Sequence, residues 1–413
     1  MSILVALLAV IILPAIAFYT GVATSGAAGT TAVAALLVFS AMQYLAREDW
    51  SPRQSRLHHR LSPTVLLLAI VALVVAHAAF AWTFLPFDPK RAGLSIAPLS
   101  VIILAGCCLG NMLQEAKNQD VVRAIRYCFL FFCLCVLGGV LGLSPPSAFP
   151  TGKPVFPFNE PSYIGVIFTP FLIFCCVRSR GLKRYAIWSV GLLIAASLEN
   201  FTLLAGCGLA ALAFVRGIAV VPLLVLAGGA GLVVDLSYYL SRVDFSADNQ
   251  NLSALVYVQG WQLIGESLAH SFGWGLGFQQ LGLHGTDVPA AELIFAQLQD
   301  NLNLFDGGFN LAKFVSEFGV FGLGLSLVFL KLWLRSIRRL RLVANGVEAD
   351  AAEVFAMSVV AGYFIELFLR GEGYFTGSGL LLIAALWLMT ARDKKAAAEH
   401  AVKAEWRPSV GSA

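Results

Sequence analysis

Long apolar runs constrain this chain more than any other feature. Of its 413 residues, 58% are hydrophobic and only 13% are charged, and a helix needs roughly 17–25 apolar residues to cross a bilayer. About twelve such runs are present, near residues 2–20, 27–46, 63–85, 96–113, 127–144, 161–178, 185–199, 201–215, 217–236, 310–333, 353–370 and 377–390. The sequence therefore predicts an all-α polytopic integral membrane protein with about 12 transmembrane helices, not a soluble enzyme.

The distribution of Lys and Arg predicts the orientation. With the N-terminus inside, 22 of these residues fall on inner segments and six on the outer face and its helix ends. Cytoplasmic loops carry the excess of basic residues, so both termini are expected to be cytoplasmic. The runs 185–199 and 201–215 are short and form either tilted or re-entrant helices, and both arrangements leave the later loops on the same sides.

The predicted spans and their orientation divide the chain into four parts. Residues 1–236 hold transmembrane helices 1–9, 237–309 form a large outer loop, 310–390 hold helices 10–12, and 391–413 form a cytoplasmic tail. Within the outer loop, apolar residues recur at helical spacing over 252–268 and 293–304, which predicts two amphipathic helices. Between them, the glycines of 273–277 predict a tight turn, because no strand precedes them as a nucleotide-binding loop requires.

All eight cysteines lie inside predicted spans, so we expect neither a disulfide framework nor a metal site. No cofactor motif is present. The formal net charge of +4 comes from the inner rim, where basic residues set topology and contact lipid headgroups. The lipid bilayer is therefore an expected partner, and nucleic acid is not.

Ionisable residues at the outer helix ends are the candidate functional groups, because charges near the membrane interior are costly and usually face a cavity. Glu160 precedes Pro161, and proline suits the first turn of a helix. Glu160 should thus sit at a helix N-terminus, where the dipole favours its charge. Glu366 and Arg370 are four residues apart, which predicts an ion pair, either structural or positioning the guanidinium.

Other candidates flank the later helices. Asp306 begins a turn with Gly307, and Asn310 is a natural helix cap. Lys313 and Glu317 have the spacing of a helical ion pair, structural or functional. Arg242 follows the ninth span, where it either extends to lipid headgroups or contributes to a site. The last candidates, near the end of the eleventh span, are Glu372 and Tyr374.

Four segments in order resemble a known family. Phe158-Asn159-Glu160-Pro161-Ser162 resembles the F-x-E-P-S signature of Wzy-type O-antigen and exopolysaccharide polymerases. The outer-loop stretch 251–262, followed by 273–277, is similar to that family's outer-loop motif. The stretches 306–310 with 317–319, and 369–375, add to the match. The resemblance covers about residues 140–390 by motif and the whole chain by topology.

The resemblance implies a GT-C-like membrane glycosyltransferase of the bacterial inner membrane. Its substrate is expected to be an undecaprenyl-diphosphate-linked oligosaccharide repeat unit, polymerised on the periplasmic face, and its partners include a chain-length regulator protein. Arg242, Arg370 and Lys313 would bind the diphosphate. Glu160 would act as general base or orient the attacking hydroxyl, with Glu372 and Asp306 as alternatives. The supporting residues would be Glu366, Tyr374, Asn310 and Glu317.

Two other functions fit the same architecture. An O-antigen ligase transfers finished glycan to another acceptor, but its outer-loop arginine is replaced here by Tyr257, and its histidine-containing motif by Gly308-Phe309-Asn310. A transporter or flippase of lipid-linked sugar would move substrate without forming a bond. The long outer loop and the absence of an internal repeat argue against transport.

Overall fold

The structure is a computed structural model that describes residues 2–47, 63–148, 154–215, 251–283, 286–300 and 302–405. Within these ranges the chain is all-helical, with no β-strand. The helices are α1 (Ile3–Tyr19), α2 (Gly26–Arg47), α3 (Pro63–Phe84), α4 (Pro89–Glu115), α5 (Asn118–Val140), α6 (Pro161–Arg178), α7 (Leu182–Ser197), α8 (Phe201–Phe214), α9 (Leu252–His270), α10 (Pro289–Leu298), α11 (Asn310–Ala344), α12 (Ala351–Phe368) and α13 (Gly377–Glu405).

Seven helices are long and apolar enough to cross a membrane: α2, α3, α4, α5, α6, α11 and α12. Three shorter apolar helices are α1, α8 and the first part of α13, Gly377–Ala391. The chain is thus a polytopic, all-α membrane protein, although the described residues do not reach twelve spans. The predicted span at 217–236 lies outside the described residues, and α7 belongs to neither group.

Helix ends follow local capping chemistry and therefore differ from the hydropathy boundaries. The span predicted at 96–113 begins at Pro89, because Asp88 accepts hydrogen bonds from the backbone N–H groups of Lys90 and Arg91 at 2.9 and 3.0 Å. Such a cap satisfies N–H groups that have no partner within the helix. The helix predicted at 161–178 has the predicted ends, with Glu160 as N-cap and Pro161 in its first turn.

The centre of the bundle consists of α6 and α12. In their spans 72% and 78% of residues are buried, against 17% for α3 at the periphery. Helix α6 packs against α5, α7, α8 and α12, as expected for a helix that is apolar on every face. A Cβ atom at Gly362 of α12 would lie 2.8 Å from the ring of Pro170, so glycine allows the two axes to approach closely.

The outer loop folds back onto α11 and contains the predicted tight turn. Helices α9 and α10 pack against each other, and α9 packs along α11. The glycine-rich turn bonds to α11 where that helix breaks at Gly319, which has φ 57° and ψ −133°. The N–H of Val320 donates to the carbonyl of Gly273 at 2.9 Å, and the N–H of Gly277 donates to the carbonyl of Glu317 at 2.9 Å. The turn is therefore attached to the first turns of α11.

Arginines join the helices at the opposite end of the bundle. Arg178, at the end of α6, donates to the carbonyl of Ala349 at 3.0 Å. Arg339 of α11 pairs with Glu353 of α12 at 3.2 Å. These residues belong to segments that the charge count assigns to the inner side, and they lie at the end of the bundle away from the first turns of α6 and α11.

Candidate functional site

A cavity of about 600 Å³ lies where the helix ends on one side of the bundle meet. The turn between α1 and α2, the first turns of α4, α6 and α11, and the segment between α12 and α13 surround it. Its polar wall is formed by Arg91, Asn159, Tyr163, Gln279, Asn303, Asp306, Lys313, Arg370, Glu372, Tyr374, Thr376 and Ser378. This volume is in the range of small-molecule sites in proteins.

Arg370 forms an ion pair with Glu160 at the edge of this cavity. One guanidinium nitrogen of Arg370 lies 2.9 Å from Oε2 of Glu160, which also accepts a hydrogen bond from the hydroxyl of Ser162 at 2.8 Å. The predicted pair between Glu366 and Arg370 is wrong. Helix α12 ends at Phe368, so Arg370 lies beyond the last turn and does not share a helix face with Glu366.

Glu366 binds Asn310 instead. The side-chain amide of Asn310 donates to Oε1 of Glu366 at 3.1 Å, and the hydroxyl of Thr376 donates to the same oxygen at 2.9 Å. Asn310 also accepts from the N–H of Gly373 at 2.9 Å and donates to its carbonyl at 3.2 Å. Asn310 is therefore not the predicted helix cap: Phe309 is the N-cap, and the Asn310 amide holds the loop that carries Arg370.

Lys313 and Glu317 form a second buried cluster. The ammonium of Lys313 donates to the carbonyl of Phe305 at 2.6 Å and lies 3.3 Å from Asp306 and 3.6 Å from Glu317. Glu317 has no exposed surface. It accepts hydrogen bonds from the hydroxyl of Tyr374 at 2.8 Å and from the N–H of Gln279 at 2.9 Å. The predicted Lys313–Glu317 pair thus exists, and it ties the glycine-rich turn to the cavity.

A turn is present at Asp306, but it precedes this residue. Gly307 and Gly308 have φ of 68° and 76°, a left-handed conformation that glycine adopts at little cost. The side chain of Asp306 has 42% of its surface exposed and faces the cavity. Asp306 ends a turn and does not begin one, because the N–H of Gly307 donates to the carbonyl of Asn303 at 2.7 Å. The carboxylate of Asp306 contributes to the site.

Glu372 lies in the same wall, four residues before Thr376, the last residue of the loop. Its side chain is exposed at the cavity wall, and the surrounding protein atoms partly desolvate the carboxyl group. The resulting desolvation raises the pKa of Glu372 to about 8, with Glu366, Glu160 and Asp306 also raising it and Arg370 lowering it. Glu372 is thus a carboxyl group that changes protonation close to neutral pH.

The structure brings together most of the predicted site residues. Arg242 lies outside the described residues, as does the outer-loop segment before 251. Seven residues of the polar wall were not predicted as site residues: Arg91, Asn159, Tyr163, Gln279, Asn303, Thr376 and Ser378. The Asp88-Pro89 cap signal could have identified Arg91 as a first-turn residue of α4. Tyr163 and Gln279 lie beside predicted motifs, but no sequence pattern indicates that their side chains line a cavity.

The fold and the site define a class, namely a polytopic all-α membrane protein with a charged cavity where several helix ends meet. No protein-family model matches this chain, and no curated protein or solved structure is significantly similar to it. Within the described residues, no group of three His, Cys, Asp or Glu side chains could hold a metal ion. Family and activity are therefore proposed below from the geometry of the site.

Proposed function

We propose that this protein is a GT-C-like glycosyltransferase with about twelve spans that polymerises undecaprenyl-diphosphate-linked oligosaccharide repeat units on the outer face of the bacterial inner membrane. One observation carries the proposal. Three segments far apart in the sequence, each similar to a motif of Wzy-type polymerases, meet at a single cavity. Asn159 lines it from the first, Asp306 from the third, and Arg370, which pairs with Glu160, from the last. Gln279, two residues after the glycine-rich turn of the outer loop, lines the cavity as well.

The chemistry of this cavity suits transfer from a diphosphate. Arg370 presents a planar guanidinium that can bind two phosphate oxygens at once. Its partner Glu160 has 37% of its side-chain surface exposed, and ion pairs at this level of exposure contribute about 0–1 kcal/mol. A diphosphate can therefore replace Glu160 as the partner of Arg370. Charge that develops on the leaving diphosphate is then stabilised by the guanidinium.

Glu372 is the preferred general base in this proposal. Glu160 already accepts hydrogen bonds from Arg370 and Ser162, which weakens it as a proton acceptor. Glu372 has a pKa of about 8, and general bases act best when their pKa lies near the working pH. The acceptor sugar hydroxyl gives its proton to Glu372 while its oxygen bonds to the donor's anomeric carbon. The bond from that carbon to the diphosphate oxygen breaks, and undecaprenyl diphosphate leaves.

The test is a gel of products formed by the purified protein from undecaprenyl-diphosphate-linked repeat units. We expect a ladder from the wild type, and no ladder from Glu160→Gln or Glu372→Gln. The matched control is Glu292→Gln, on the exposed face of α10, which should leave the ladder unchanged.

Each alternative function gives a different product. One transferred block without a ladder would indicate a ligase, and movement of labelled lipid without a new glycosidic bond would indicate a transporter. A ladder of normal length from Glu160→Gln would remove that residue from the site.

A further inference from the structure

Arg91 is a cation at the cavity that neither a motif nor the family resemblance identifies. It lies in the first turn of α4, where Asp88 accepts a hydrogen bond from its backbone N–H at 3.0 Å. Asp88 is in turn tied to the outer-loop turn, because its N–H donates to the side chain of Gln280 at 2.8 Å. The position of Arg91 is therefore fixed by both the helix and the loop.

The guanidinium of Arg91 stacks on an aromatic ring. Its central carbon lies 4.6 Å from the ring centroid of Phe305. Stacking occupies the face of a guanidinium and leaves the N–H groups at its edge open for hydrogen bonds. The plane of the Arg91 guanidinium is thus held by the ring, and among the described residues none accepts a hydrogen bond from its edge.

Charge balance separates Arg91 from the other cations of the cavity. Arg370 has Glu160 at 2.9 Å, and Lys313 has carboxylates at 3.3 and 3.6 Å. In the described part of the chain, no carboxylate oxygen lies within 4.0 Å of Arg91. An uncompensated guanidinium in a cavity attracts an anion, and planar donors match phosphate oxygens in particular.

The part of the cavity wall formed by α1 is apolar. It consists of Val10, Ile11, Pro14, Ala15 and Phe18, whereas the start of α2 and the turn before it add the polar side chains of Thr24, Ser25 and Thr30. A free phosphate would leave this wall unused, whereas the chain of a lipid would cover it and gain hydrophobic stabilisation. The two walls together favour an amphiphile with an anionic head.

We propose that Arg91 binds the diphosphate of a lipid-linked sugar while the first part of the lipid chain packs against the apolar wall formed by α1. This inference rests on the proposed function for the identity of the substrate. It adds a phosphate-binding residue and a lipid subsite to that function.

Binding, measured without any transfer reaction, tests this inference. The probes are a sugar-free short-chain polyprenyl diphosphate, inorganic diphosphate and the corresponding polyprenyl alcohol, added to purified protein in detergent. We expect the polyprenyl diphosphate to bind most tightly. Arg91→Gln should weaken its binding about tenfold or more, as loss of a charge-assisted hydrogen bond predicts, and Arg91→Lys should bind with an intermediate affinity.

Two further variants distinguish binding of the diphosphate head group from binding of the lipid chain. Lys90→Gln removes the same charge from an exposed neighbour outside the cavity and should bind like the wild type. Ala15→Trp fills the apolar wall of α1, so it should weaken binding of the polyprenyl diphosphate but not of inorganic diphosphate.

Binding by Arg91→Gln within twofold of the wild type, in protein that unfolds at the wild-type temperature, would overturn the role of Arg91. Inorganic diphosphate binding as tightly as the lipid would overturn the lipid subsite. Because no bond is formed in this assay, Arg91-dependent binding without a polymer ladder would contradict the proposed function and leave this inference standing. A polymer ladder from Arg91→Gln, together with wild-type affinity for the polyprenyl diphosphate, would overturn this inference and leave the proposed function standing.

Discussion

Asn310→Ala should be among the most destabilising substitutions in the site, because Asn310 connects three elements. Its buried amide contacts Tyr363 and Glu366 of α12 and both backbone groups of Gly373, at 2.9–3.2 Å. The amide has only two hydrogens for three acceptors, so at most two donated bonds and one accepted bond form at once. The alanine variant loses all of them without filling the space.

The expected loss of stability follows from the hydrogen-bond partners of Asn310. A neutral hydrogen bond contributes about 1 kcal/mol and one to a charged group about 1.5–3 kcal/mol, so we expect the free energy of unfolding to fall by about 3–5 kcal/mol. Part of this loss comes from Glu366, which is 1% exposed and keeps only the hydroxyl of Thr376 as a hydrogen-bond donor to Oε1. The backbone N–H of Gly373 also loses its acceptor.

The assay is SDS-induced unfolding in mixed micelles, followed by tryptophan fluorescence. The matched control is Asn345→Ala, at the exposed end of the same helix, for which we expect a loss below about 1 kcal/mol. A double-mutant cycle with Glu366→Gln should give a coupling energy of about 0.5–3 kcal/mol between the two side chains. Equal losses for Asn310→Ala and Asn345→Ala, or no coupling, would refute the role assigned to Asn310.

Two further predictions concern the loop and the helix break. The pKa of folded Glu372 is about 8, whereas that of an unfolded glutamate is about 4.3. The free energy of unfolding should therefore fall as the pH rises from about 5 to 8. Glu372→Gln should flatten this slope in unfolding titrations, and an unchanged slope would contradict the assignment. Gly319→Ala places a Cβ 2.1 Å from the carbonyl oxygen of Gly273 at a φ of 57°, so it should expose the glycine-rich turn to protease. The control is Gly324→Ala, which has open space around it on the same helix and should not increase cleavage. Equal protection of both variants would refute the attachment of the turn to α11.

Local patterns predicted the helices well, because hydropathy and capping act within a few residues. Pro161 placed Glu160 at the start of α6, and the apolar spacing over 252–268 predicted α9. The glycines of the outer loop predicted a turn that folds back. These features depend on the neighbours of each residue along the chain, and the sequence displays those neighbours directly.

The contacts within the site could not be predicted in the same way. Glu160 and Arg370 are 210 positions apart, so no local rule indicates that they meet. The expected pair of Glu366 with Arg370 was wrong because helix spacing applies only while the helix continues, and α12 ends at Phe368. Asn310 does not cap the helix because its side-chain amide is hydrogen-bonded to buried Glu366 and to the backbone of Gly373.

Lys313 and Arg370, the two described cations that were predicted to bind the diphosphate, differ in exposure and therefore in role. Lys313 has 3% of its side-chain surface exposed and is held by a backbone carbonyl and two carboxylates, so removing any partner would leave a buried charge uncompensated. Arg370 has 21% exposed and one carboxylate partner, so it can exchange Glu160 for a phosphate at little cost. In the proposed reaction, Lys313 therefore keeps the turn and the loop in place, while Arg370 and Arg91 change partners as the substrate binds. The same exchange would release Glu160 from its guanidinium at the moment the diphosphate arrives, leaving this carboxylate free to orient the acceptor hydroxyl for Glu372.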